Sequence, residues 1–463
     1  MPVVGAFAVP HPTFILPAVW QGSDACAPQT LKAYRDVAER VAVLNPDAVV
    51  IVSPHATSYS DYIHVSPGLE GVGDLSSLGR PDAEISTPYD PELASAVTEE
   101  CIKAHVPAGT CGERQKSLDH GTMVPLAFIH AAGVEAPVMR VGVSALSALD
   151  HYRFGQCVRR ASDRLGRRVV FIASGDLSHR LRPGGPYGYT PEGPAFDRAV
   201  CRVFASGDFG ELLHLDRTMA ESAAQCGLPG FQMMAGSLDG LAVCAELLSY
   251  ESPLGVGYAC AAFTPVGPTH IRSFGDDLAR EQTQAIEQAR SHEDAYVRLA
   301  REALEQWVRT GRRFEPDASA GLPEELARGR AATFVSIYKD GELRGCVGTL
   351  EPARSVLAQE VIDNAIAAGT RDRRFTPVTY DELPRLLYRV EVLGEPEFIV
   401  GPADLDVDRY GVVVSTTDGR RGVLLPGLAG VETPEQQVDA ARRKGGIEPG
   451  EPVILQRFSV TRH

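Results

Sequence analysis

The chain has 463 residues, 44% hydrophobic and 23% charged, an ordinary soluble composition with room for two or three domains. A net charge of −15 argues against a dedicated nucleic-acid binder and against docking to anionic lipid. No apolar run reaches the roughly 18–20 residues of a membrane span, so none is expected.

The first stretch, MPVVGAFAVPHPTFILPAVW, is apolar but lacks a positive leading segment, and its prolines flank a histidine, so it reads poorly as a secretory signal. Strands are predicted at Val3–Val9, Ala48–Ser53, Pro137–Val143, Arg168–Ala173 and Tyr258–Thr264. These runs are apolar with no polar alternate face, the pattern of a sheet buried on both sides. Helix-compatible stretches lie between them, such as Gln29–Leu44, Pro91–Ala104, Thr122–Ala132 and Phe231–Leu248. The expectation is an α/β fold: an N-terminal α/β sandwich with a largely parallel central sheet. From Gly267 to Ser291 the composition turns polar and helix-friendly, as in a connecting helix. Beyond it come a predicted helix at Ala295–Val308, a Pro/Gly-rich loop, and a hairpin turning at Asp340-Gly341. A helix at Ser355–Ala368 and a β-rich tail complete a smaller α+β domain. The boundary is set at residue 280, giving domains 1–280 and 281–463.

Nine cysteines without a CxxC pair form neither a disulfide framework nor a zinc knuckle, and free thiols in a reducing cytoplasm are the simplest account. Eight of the nine cysteines and eleven of the twelve histidines precede residue 293, so a nitrogen- or sulfur-bound metal belongs to the N-terminal domain. Histidines there fall just after strands: Pro10-His11-Pro12, Pro54-His55, and Ser174-Gly175-Asp176-Leu177-Ser178-His179. Ligands of open α/β sheets bind outside the carboxyl ends of the strands, so these histidines can converge. Asp119-His120-Gly121 precedes a helical run and adds a fourth candidate. His64, His105, His130, His151 and His214 have no such context and read as structural. Two neutral imidazoles suit iron, zinc, copper or nickel, and both Glu221 and Cys226 are candidates for a third ligand. Asp176, three residues before His179, is placed to accept a hydrogen bond from its ring.

PHP, SPHA, DHG and GDLSH, in this order, resemble the class III extradiol ring-cleaving dioxygenases, relatives of the catalytic subunit of protocatechuate 4,5-dioxygenase, and also the Memo proteins of the same fold. The resemblance covers about residues 1–266. It implies that His11 and His55 are metal ligands, His179 the acid/base, and His120 a donor beside the substrate. The family's third ligand is a glutamate in a Gly-Xaa-Glu-Gly-like segment; here Ala224-Gln225-Cys226-Gly227 stands there, and Memo proteins also carry cysteine. Cys226 is therefore expected as third ligand, with Glu221 the fallback. Fe(II) is the implied cofactor and zinc the alternative; a small aromatic diol and O2 are the implied substrates, and pairing into a homodimer is common in the fold.

Leu343-Arg344-Gly345-Cys346-Val347-Gly348 resembles the LRGCIG signature of AMMECR-type domains, and Thr370-Arg371-Asp372-Arg373-Arg374-Phe375 a second segment of them, over about residues 294–463. Such domains accompany Memo-like and radical-SAM proteins, which implies a radical-SAM partner in an AmmeMemoRadiSam-type system. In a regular strand Arg344 and Cys346 share a face, so the guanidinium is expected to favour the thiolate. The arginines of the second segment read as solvated or salt-bridged.

Overall fold

A computed structural model describes residues 2–16, 19, 26–76, 80–316, 321–428 and 430–463, with backbone alone at 80–83. Parts of the apolar N-terminal stretch (17, 18 and 20–25) and of the Pro/Gly-rich loop (317–320) lie outside the described residues. Two compact units, Met1–Arg280 and Glu281–His463, divide the chain within the helix Phe274–Ser291.

The first unit is built on a six-stranded mixed sheet in the order Val138–Gly142, Ala48–Ser53, Val169–Ser174, Val3–Val9, Tyr258–Pro268, Leu241–Glu251. The first four strands are parallel, and Tyr258–Pro268 runs antiparallel to both of its neighbours. Alternate residues of each parallel strand feed opposite cores. Ala6, Ala8, Val50, Val52, Phe171 and Ala173 face a core shared with helices Pro91–Lys103, Ala148–Leu165 and Leu228–Ser237. Phe7, Val9, Val49, Ile51, Val170 and Ile172 face the other, under helices Pro28–Leu44 and His120–Ala131. A strand buried on both faces has no use for a polar alternate, which is why these runs are continuously apolar.

One expectation fails at the sheet edge. The helix-compatible run Phe231–Leu248 splits: the helix ends at Ser237, and Leu241–Glu251 is a strand paired with Tyr258–Pro268. AVCAELL has good helix formers, but the hairpin partner supplies a ladder of backbone bonds that outweighs weak local propensity. The neighbouring strand also runs further than expected, to Pro268.

In the second unit a larger antiparallel sheet runs Glu342–Gly348, Thr333–Lys339, Leu386–Leu393, Ile454–Arg462, Tyr410–Ser415, Arg421–Leu424, with Glu397–Ile399 also paired to Ile454–Arg462. Helices Ala295–Thr310 and Leu357–Thr370 cover the core made with Val335, Ile337 and Val390. The hairpin turns at Asp340 (φ 53) and Gly341 (φ 84), two left-handed residues as a type I′ turn requires. No helix among the described residues is long and apolar enough to cross a membrane.

Candidate metal centre

Ala48–Ser53, Val169–Ser174 and Val3–Val9 lie side by side and parallel, so their carboxyl ends deliver His55, Asp176 with His179, and His11 to one edge. Val9 is in register with Ser174, and the Ser174 hydroxyl meets His11 Nδ1 at 3.1 Å. That contact leaves His11 Nε2 facing outward, 3.1 Å from His55 Nε2 and 3.7 Å from Cys226 Sγ. Cys226 arrives from elsewhere in the chain through a close backbone approach. A Cβ on Gly175 would stand 2.2 Å from the Gly227 Cα, so only glycine lets the GDLSH turn lie against the Cys226-Gly227 turn. The Asp176 carbonyl accepts from Gly227 N at 3.2 Å, and Asp176 N donates to Cys226 Sγ at 3.3 Å.

Three donors converge: His11, His55 and Cys226 have ligand atoms within 4.8 Å of one another, as do Asp176, His179 and Cys226. Tetrahedral bonds of the usual lengths put two imidazole nitrogens about 3.4 Å apart and nitrogen and sulfur about 3.6 Å apart. The observed spacings fit that set. Glu221 does not join it; its carboxylate faces solvent and takes Arg217 Nε at 2.8 Å.

The electrostatics suit neutral nitrogen ligands. Burial, with the charge of His120 next, pushes His11 down to about 3; burial, then His11 and His120, pushes His55 down to about 4. Burial first and Asp176 second drive the Cys226 thiol well up, so an adjacent cation is what makes its thiolate accessible. Burial also raises the Asp176 carboxyl to about 6, against the pull of the His11 amide and the neighbouring imidazoles.

His179 differs from expectation. Its Nδ1–H donates to the Ala224 carbonyl, and its Nε2 lies 3.9 Å from Asp176 Oδ2, too far for a hydrogen bond. The backbone of Ala224, itself left-handed (φ 52), fixes the tautomer, while Asp176 Oδ1 accepts from the His11 amide at 2.9 Å. The His120 ring stands 4.1 Å from that of His55 and 5.2 Å from that of His11.

Further residues support the donor cluster. Asp119 caps the helix His120–Ala131 through Thr122 N and takes Arg140 Nη2 at 2.7 Å, both side chains being fully enclosed. It also accepts from the Ser53 hydroxyl, which in turn accepts from His55 N. Tyr258 packs edge-on against Phe14, and burial first and Asp176 second push its hydroxyl up. Arg140 and Tyr258 sit inside strand patterns, where sequence offers only polar or aromatic exceptions.

The family described as the catalytic LigB subunit of aromatic ring-opening dioxygenase matches residues 5–261. The chain belongs to the LigB family. The AMMECR1 family matches residues 297–463, so a LigB-like domain is followed by an AMMECR1 domain. The Clostridium acetobutylicum protein CA_C1420 is 36% identical over 479 aligned residues, spanning 100% of this chain and 99% of its own. A Thermotoga maritima protein is 46% identical over 173 residues, covering 37% of this chain and 98% of its own. A crystal structure of an uncharacterised Pyrococcus horikoshii protein is 30% identical and covers 36% of this chain and 88% of that one, with a TM-score of 0.33.

In the AMMECR1 domain the two signature segments bond to each other. Cys346 N donates to Asp372 Oδ2 at 2.9 Å, and Arg374 Nη2 donates to the Cys346 carbonyl at 3.3 Å, so the second segment caps the edge strand Glu342–Gly348. The expected pairing of Arg344 with the Cys346 thiol is not what forms. The register slips between Ile337 and Tyr338, leaving Arg344 as an extra, bulged residue. Its guanidinium is bound twice by Glu382, at 2.9 Å each, and by the Thr376 carbonyl. Arg374, paired with Asp372, stands by the cysteine instead, and the Ser336 hydroxyl reaches Cys346 Sγ at 3.2 Å.

Proposed function

We propose that the LigB-like domain is a non-haem metal oxidoreductase of the extradiol type, with iron(II) its working metal and an aromatic diol and O2 its substrates. The convergence of His11 Nε2, His55 Nε2 and Cys226 Sγ carries this reading. Iron held there supplies a Lewis-acidic centre with open positions for substrate oxygens and O2. The protein's own groups do the rest. His179, its Nδ1–H on Ala224, keeps the Nε2 lone pair free to take a hydroxyl proton and return it to the opening ring. His120, beside the His55 ring, is placed to donate to a bound oxygen. The Ser174 hydroxyl on Nδ1, with the hydrogen bond that the His11 backbone N–H donates to Asp176 Oδ1, holds the His11 ring so that Nε2 turns to the site.

Cys226 favours a second reading. A thiolate in place of a carboxylate is a softer donor that alters potential and geometry and also suits zinc. On this reading the protein is a Memo-like iron or zinc component, redox, hydrolytic or partner-binding, of an AmmeMemoRadiSam-type modification system. Metal analysis after anaerobic purification, followed by O2 uptake with catechols on the iron(II)-loaded protein, separates the two. Bound iron with catechol-dependent O2 uptake supports the dioxygenase; zinc alone, with no uptake after iron loading, removes it. His179→Ala should keep the metal and lower turnover by roughly 10²-fold or more.

A further inference from the structure

The loop that follows His179 carries aromatic side chains for which the metal centre has no use. It is a closed projection: Leu181 bridges Tyr189, Gly185 N bonds the Arg182 carbonyl at 3.0 Å, and Gly188 N the Gly185 carbonyl at 3.2 Å. Thr190 N on the Arg180 carbonyl and Leu181 N on that of Gly255 anchor its base. Tyr187 near its tip is 59% exposed, yet its ring meets that of His179 at 5.2 Å and 64°.

We propose that Tyr187 is a substrate-positioning residue, its exposed ring packing against the aromatic ring of a planar ligand held beside His179. This rests on the metal reading given above. Aromatic pairs gain most in edge-to-face or offset contacts with centroids about 4.5–7 Å apart, the separation that Tyr187 already keeps from His179. An exposed tyrosine on an internally bonded loop is pre-organised for this and loses little freedom when a ligand arrives.

The test compares two chelating probes on the iron(II)-loaded protein under anaerobic conditions: 4-nitrocatechol, which has a ring, and acetohydroxamate, which has none. Tyr187→Ala should weaken 4-nitrocatechol roughly 3–10-fold and leave acetohydroxamate affinity and metal content unchanged. Tyr187→Phe should stay close to wild type, and so should Tyr189→Ala, a tyrosine of the same loop. Unchanged 4-nitrocatechol affinity in Tyr187→Ala, or an equal loss for both probes, overturns the proposal and leaves the metal reading standing. A wild-type protein that retains no metal and binds neither probe removes both together.

Discussion

At the scale of single residues the deciding position is Cys226. With His11 and His55 a carboxylate would complete the set common in iron oxygenases; a thiol whose burial disfavours ionisation would complete a different one. The position is tied to the protein's backbone on both sides, by Asp176 N on its sulfur and by the Asp176 carbonyl on Gly227 N. Cobalt substitution reads the ligand directly. The cobalt(II) protein should show a sulfur-to-metal charge-transfer band that disappears in Cys226→Ser and persists in Glu221→Gln. No sulfur band in the wild-type protein, with cobalt kept by Cys226→Ser and lost by Glu221→Gln, would restore a carboxylate set and require Glu221 to leave Arg217.

Among the elements, a buried ion pair joins three pieces of the first unit. Arg140 comes from the strand Val138–Gly142, Asp119 from the N-terminus of the helix His120–Ala131, and Ser53 from the end of the strand Ala48–Ser53. His120 opens the capped helix and His55 follows the strand end, so the pair sets the relative placement of both rings. Arg140→Met leaves the Asp119 carboxylate enclosed without its counter-charge, a change that typically costs about 3–5 kcal/mol. Denaturant unfolding of the variant should show that loss, and metal affinity should fall with it. A variant as stable as wild type would mean that Ser53 and Thr122 alone satisfy Asp119.

For the molecule as a whole, the donor cluster lies entirely within the unit Met1–Arg280. A metal that binds the folded form alone stabilises it by about 2.7 kcal/mol at a hundredfold excess over its dissociation constant. At roughly 2–4 °C per kcal/mol for a unit of this size, EDTA should lower one calorimetric transition by several degrees. The transition of the unit Glu281–His463 should stay in place, and His55→Ala should abolish the chelator response. A shift confined to the other transition would move the metal site to the AMMECR1 domain.

The sequence by itself determined the parallel strands and the histidines that follow them. Burial on both faces demands continuous apolar runs, and strand ends are where an open α/β sheet places its ligands. It also determined the Asp340-Gly341 hairpin, because two left-handed residues are a local requirement. Only the tertiary structure decided the rest. Leu241–Glu251 is a strand because its partner pairs with it, a non-local gain that exceeds weak helix propensity. Cys226 is expected beside His11 from the family resemblance, but it gets there across 215 positions because two glycine backbones touch, an approach that no spacing rule encodes. Asp176 lies three residues from His179, yet its carboxylate turns to the His11 amide and the Ala224 carbonyl takes the ring. The Arg344 side chain is redirected by a bulge set in the neighbouring strand's register. Each outcome depends on which distant backbone group arrives within bonding distance, and only the packed chain determines that.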